Sequence, residues 1–197
     1  MNKGIACLAI ALALAAPRIA LAGAQQYEVL TASVRATLAS AVNARDTVDW
    51  NDMETRAWVR AMTRRVKPFY PDEDAARSFL GLVRYEAKRA GLDPHLVLAV
   101  IEIESKFRKY AVSKAGARGL MQVMPFWVKE IGTPTTNLFQ ERVNIRFGCV
   151  ILRHYLDREN GNVFNALGRY NGSLGRAEYP DKIFKVLKSR WALDAPA

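Results

Sequence analysis

Apolar residues recur at three- and four-residue intervals along most of this chain, and strict apolar/polar alternation is nearly absent, so the pattern predicts helices and little else. Tyr27 to about Ala44 reads as one helix and Glu54 to about Val66 as a second, closed by Pro68 and Pro71. A third runs through PDEDAARSFLGLVRYEAKRAG, with Asp72, Glu73 and Asp74 at its start, Lys88 and Arg89 in its last turn, and Gly91 as its C-cap. Its expected apolar face holds Phe79, Leu82, Val83 and Ala87. Asp93 and Pro94 suit the N-cap and first position of a fourth helix, extending to about Phe107. A further helix is expected from near Leu120 and another over about Val143 to Glu159, ended by Asn160-Gly161. Shorter ones follow Asn162 and Pro180. The expectation is a compact all-α bundle of about seven helices, with no internal repeat and no Gly/Ser linker.

The fourth helix carries two acids that its rotation separates. At about 100° per residue, with Leu96 as zero, Val97, Val100, Ile103 and Phe107 share one side and Glu104 falls among them at about 80°. Glu102 falls near 240°, with His95, Ala99 and Lys106, and reads as a solvated acid. A carboxyl aimed into an apolar face has two explanations. It pairs with a nearby cation such as Arg108 or Arg118, or desolvation raises its pKa so that it holds a proton near neutral pH and serves as a general acid.

Charge and the first residues add an address. Lys3 precedes an apolar run from Ile5 to Ala16, Pro17 and Arg18 interrupt it too early for a membrane span, and Ala20, Ala22 and Ala24 offer small-residue cleavage sites. Residues 1–24 therefore read as a secretory signal peptide, leaving no transmembrane segment after its removal. The whole chain has 29 basic and 19 acidic residues; without Lys3 and Arg18 the balance is 27 to 19, a net charge of +8 that favours an anionic partner. Zinc-finger spacing, RNP-like aromatics and arginine-rich tracts are missing, so nucleic acid is not expected as that partner; an envelope polymer is. Cys7 falls in the leader, and Cys149, within RFGCVILRHYL, reads as a buried, inert thiol. His95 and His154 have no metal-ligand spacing, and neither a metal nor a cofactor is expected.

Downstream of Glu104, SKAGARGLMQVMP supplies Gly116 and Gly119 for a tight turn, then Met121, Gln122 and Met124 ahead of Phe126 and Trp127. Gln122 both donates and accepts hydrogen bonds, as hydroxyl and acetamido groups require; the methionines and aromatics either cover sugar faces or are core. From about Phe79 to Leu187 the chain resembles the soluble lytic transglycosylase family, with its goose-lysozyme-like catalytic domain. The resemblance rests on Glu104-Ser105, then Gly119-Leu120-Met121-Gln122 with Met124-Pro125, then Tyr170-Asn171-Gly172. Asn144-Ile145 with Gly148, and Tyr179 ahead of the last helix, fit the same pattern.

That resemblance implies a lysozyme-like, mainly all-α fold with a groove. It implies cleavage of the β-1,4 bond between N-acetylmuramic acid and N-acetylglucosamine in peptidoglycan, closing a 1,6-anhydro ring. Glu104 would be the catalytic residue, acid and then base; Ser105, Met121 and Gln122 would line the groove, and Tyr170 with Asn171 would hold Glu104 or the acetamido group. Arg169 stands where the family commonly has Ala and is expected to meet an anion such as a stem-peptide carboxylate. No second acid lies in a matching motif, and Asp157 and Glu159 read as exposed. The expected organisation is a leader over 1–24, an N-terminal helical segment over 25–78 and a catalytic domain over 79–192 of a monomeric bacterial protein, periplasmic or secreted. Its partners would be peptidoglycan strands and an envelope-spanning secretion or division machine. A hydrolytic muramidase on the same fold, or a noncatalytic peptidoglycan-binding protein, would fit the same residues.

Overall fold

The computed structural model describes residues 25–44 and 47–192, so the leader read at 1–24, with Cys7, lies outside the described residues. Eight α-helices follow in order: α1 (Ala32–Asn43), α2 (Met53–Val66), α3 (Glu73–Arg89), α4 (Pro94–Ser105), α5 (Phe126–Ile131), α6 (Glu141–Arg158), α7 (Val163–Asn171) and α8 (Glu178–Val186). A π-helical turn, Leu187–Trp191, continues from α8. Among the described residues there is no strand, only isolated bridges pairing Arg118 with Val112 and Val123, so the all-α expectation holds. No helix among them is long and apolar enough to cross a membrane.

Side-chain caps set most starts. Thr31, Asp52, Asp72, Asp93 and Asn162 each accept from a backbone amide in the first turn of α1, α2, α3, α4 and α7. The first helix begins at Ala32 rather than near Tyr27, because residues 25–31 run as an extended strap across the bundle. Along it the Tyr27 hydroxyl donates to Glu130, Glu28 pairs with Arg158 and Arg169, and Leu30 is buried. No helix starts near Leu120; Gly119 and Gln122 both have positive φ, which helical backbone excludes, and α5 waits until Phe126.

The core forms where α3 packs against α2, α4 and α6, while α8 and the π-helical turn close over α4. On α3 the buried stripe is Ala76, Phe79, Leu80, Val83 and Ala87, with Leu82 at its margin. Glu86 is also buried there, and Arg146 of α6 meets it with Nε and Nη2 at 2.8 to 3.0 Å. Arg89 Nε also donates to Glu86 at 3.2 Å, so it is removal of Glu86 that would strand a buried charge, that of Arg146, at a cost of about 3 to 5 kcal/mol.

The α4 helix is buried on nearly every side, from Leu96 through Ile101, as befits a central helix. This corrects the reading of Glu102. Its side chain is only 13% exposed, accepting from Arg190 Nη1 at 2.6 Å and Trp191 Nε1 at 2.8 Å. The residues that cover it lie far along the chain, where local periodicity carries no information.

Candidate active site

Glu104 sits in the last turn of α4, in the wall of a cavity of about 470 Å3. The helix stops one residue later: Lys106 and Phe107 both take left-handed backbone, at φ 51° and 59°. Packing holds Phe107 there, its ring stacked on Phe69 at 4.3 Å, edge-to-face with Phe79 and tilted against Trp191. Arg108 Nε donates to the Ser105 carbonyl at 3.0 Å, which caps the helix end, and Arg118 lies over the Phe139 ring. Neither arginine pairs with Glu104.

The Glu104 carboxyl instead accepts a hydrogen bond from the Tyr179 hydroxyl at 2.6 Å. Burial pushes its pKa up from 4.5 to about 7, and the Tyr179 hydroxyl restrains the rise by favouring the anion. Tyr179 is itself buried, and burial together with the neighbouring carboxylate holds its phenol well above the ordinary range, so it stays a donor. The result is a carboxyl protonated in about half the molecules near pH 7, fixed by one donor and facing a groove.

The loop opposite is built to be stiff. Asn144 of α6, buried, accepts from the Met121 amide at 2.7 Å and donates from Nδ2 to the carbonyls of Arg118 and Leu138, each at 2.8 Å. One side chain thus ties three backbone groups. Two glycines let the parts close: a Cβ on Gly148 would lie 2.3 Å from Met121 Sδ, and one on Gly119 (φ +76°) 2.3 Å from Asn144 Nδ2. Gln122 lines the cavity, its Nε2 donating to the carbonyls of Gly119 and Ala111. Beneath the loop, Gln25 of the strap accepts from the Met124 amide.

The sequence-predicted residues therefore divide. Glu104, Gln122 and Asn171 face one cavity. Ser105, Met121 and Tyr170 are buried behind it: Ser105 Oγ donates back to the Ile101 carbonyl, and the Tyr170 hydroxyl donates to the Met121 carbonyl at 2.7 Å. Tyr170 steadies the loop, whereas Tyr179 is the tyrosine that holds Glu104. Arg169 is engaged by Glu159 and Glu28, and this corrects two expectations. The arginine is not free for a ligand carboxylate, and the Glu159 side chain is only 13% exposed. Cys149 is buried, which raises its thiol pKa.

Sequence reasoning missed Ser173, Arg176, Glu178 and Lys182, which also line the cavity. They belong to the α7–α8 loop and the start of α8, and only the position of Tyr179 in the family pattern pointed toward that segment. Among the described residues no group of three His, Cys, Asp or Glu side chains could hold a metal ion.

The Transglycosylase SLT domain family matches residues 81–188. A transglycosylase of the Enterobacteria phage PRD1 is 40% identical over 112 residues, covering 53% of this chain and 41% of the phage protein. The membrane-bound lytic murein transglycosylase C of Edwardsiella ictaluri is 33% identical over 133 residues, covering 59% of this chain and 37% of that protein. Among solved structures, the lytic transglycosylase Slt of Pseudomonas aeruginosa is 28% identical, with 72% of this chain and 26% of that one covered and a TM-score of 0.44. The chain spans less than half the length of either sequence relative.

Proposed function

The chain belongs to the Transglycosylase SLT domain family, and on that premise we propose that it is a lytic transglycosylase of peptidoglycan, with residues 79–192 as the catalytic unit. The carrying observation is Glu104: a partly buried carboxyl in the wall of a groove, with a pKa of about 7, one phenol donor and no cationic partner among the described residues. Such a group can both give and take a proton near neutral pH.

In the proposed reaction Glu104 gives its proton to the glycosidic oxygen between N-acetylmuramic acid and N-acetylglucosamine. The C1–O bond breaks, and the N-acetylglucosamine side leaves with a free 4-hydroxyl. Positive charge at C1 is stabilised by the neighbouring acetamido group. The carboxylate, held by Tyr179, then takes the proton of the muramic acid C6 hydroxyl as that oxygen bonds C1, giving a 1,6-anhydro end and restoring the acid. One carboxyl suffices because the nucleophile is tethered to the reacting carbon. Gln122 and Asn171 stand where they could hydrogen-bond the acetamido and hydroxyl groups of the strand. The site of action is the cell envelope, in keeping with the leader expected at 1–24.

A hydrolytic muramidase is the second reading, favoured by Glu178, an exposed acid in the same cavity that could activate water. Mass analysis of muropeptides released from sacculi separates the two, because the anhydro product is one water lighter. Anhydro ends are expected, abolished by Glu104→Gln and retained in Glu178→Gln. Reducing ends from the wild-type chain would establish hydrolysis instead.

A further inference from the structure

The α2 helix has two faces of different chemistry. Thr55, Trp58, Val59, Met62 and Val66 are buried against the bundle. Rotated at about 100° per residue from Met53, Arg56, Arg60, Arg64 and the capping residue Lys67 all fall within about 60° of it on the opposite, outward face. The helix's one acid, Glu54, lies at the flank and pairs with Arg84 of α3 at 2.6 Å.

Arg60, Arg64 and Lys67 are exposed and make no side-chain hydrogen bond or ion pair among the described residues. They ring a cavity of about 300 Å3 between α2 and the start of α3, with Tyr70 on its wall. Its acid, Glu73, is already paired with Arg77. At the N-terminal end of the same face Met53 is 74% exposed; Trp50, in the turn entering α2, is 43% exposed, with one ring edge against Gly81 of α3. Unpaired cations alone would suit any polyanion. An exposed indole and thioether at the end of the cationic row add an apolar need that a soluble polyanion does not meet and a lipid interface does.

We propose that the outward face of α2 docks this protein onto an anionic lipid bilayer. Trp50 and Met53 enter the interfacial layer, while Arg60, Arg64 and Lys67 pair with lipid phosphates. Guanidinium groups meet phosphate oxygens through two parallel hydrogen bonds, and successive turns of α2 offer one cation each. The docking is independent of the chemistry at Glu104, and the two cavities share no lining residue.

The test is co-sedimentation of the full-length chain with vesicles of phosphatidylglycerol mixed with phosphatidylcholine, against phosphatidylcholine alone. Tryptophan emission is read in parallel. Trp58, Trp127 and Trp191 are buried, so a blue shift on binding reports Trp50, and Trp50→Phe removes it. Expected is binding to the anionic vesicles that fades at high salt. Each cation removed should weaken it about fivefold, so Arg60→Gln with Arg64→Gln and Lys67→Gln should weaken it on the order of a hundredfold in the same full-length background, with helicity unchanged. Equal binding to both vesicles, or an unaffected triple variant, overturns the proposal. Displacement by soluble polyphosphate with Trp50 emission unmoved would also overturn it, marking a polyanion site instead.

Discussion

Replacing Glu104 with Gln should make the protein more stable, and by an amount that depends on pH. The folded state raises this carboxyl from 4.5 to about 7, while the unfolded chain leaves it near its ordinary value. Between those two values the folded state binds more protons than the unfolded one, so this group's contribution to stability falls as pH rises. Each pKa unit is worth about 1.4 kcal/mol, so once pH exceeds about 7 the buried anion destabilises the fold by about 3 kcal/mol relative to its neutral form. Glutamine keeps an oxygen to accept from Tyr179 and has no proton to lose. Urea unfolding of both chains at about pH 5 and about pH 8 measures the effect. The variant should gain on the wild type by about 2 to 3 kcal/mol between the two pH values, whatever constant offset its amide adds. A stability difference that stays flat across that range would refute the desolvated carboxyl, and with it the acid role.

Three further perturbations probe the site's supports. Tyr179→Phe removes the one group that favours the Glu104 anion, so the alkaline limb of the pH–rate profile should move upward from about 7 while total activity falls; an unmoved limb would show that the 2.6 Å contact does not govern the proton. Asn144→Ala deletes three hydrogen bonds and leaves the Met121 amide without its partner, for an expected loss of about 2 to 4 kcal/mol in thermal or urea unfolding. Gly148→Ala forces a methyl group onto Met121, which should cost about 1 to 3 kcal/mol and lower turnover by displacing the loop; an unchanged Tm and rate would mean the contact yields freely.

The local chemistry of the chain was readable where it was self-contained. The cap at Asp93, the acidic start of α3 at Asp72 and the turn at Gly119 follow from side-chain hydrogen bonding and backbone sterics over four or five residues. The placement of Glu104 toward an apolar environment followed from rotation along α4. What rotation could not supply was the other side of each contact. Glu102 looked solvated until Arg190 and Trp191, nearly ninety residues later, closed over it. Tyr170 and Tyr179 both stood in the motif pattern, yet only the packing of α7 and α8 decides which one meets the acid. The helix expected from Leu120 failed for a local reason, since Gln122 takes a left-handed conformation in a loop that Asn144 holds from outside.

The abrupt end of α4 bears on the acid as well as on the chain path. Lys106 and Phe107 are two consecutive non-glycine residues in left-handed backbone, at a strain of about 1 to 3 kcal/mol each, and the aromatic packing of Phe107 holds the turn. Because the helix terminates there, Glu104 is its penultimate residue and lies within the last turn, where the carbonyl dipoles align their negative ends. That field opposes a carboxylate in the same direction as burial does. The proton affinity of Glu104 is therefore written partly into the point at which its helix stops: were α4 to run on for two more turns, the same side chain in the same groove would be a stronger acid.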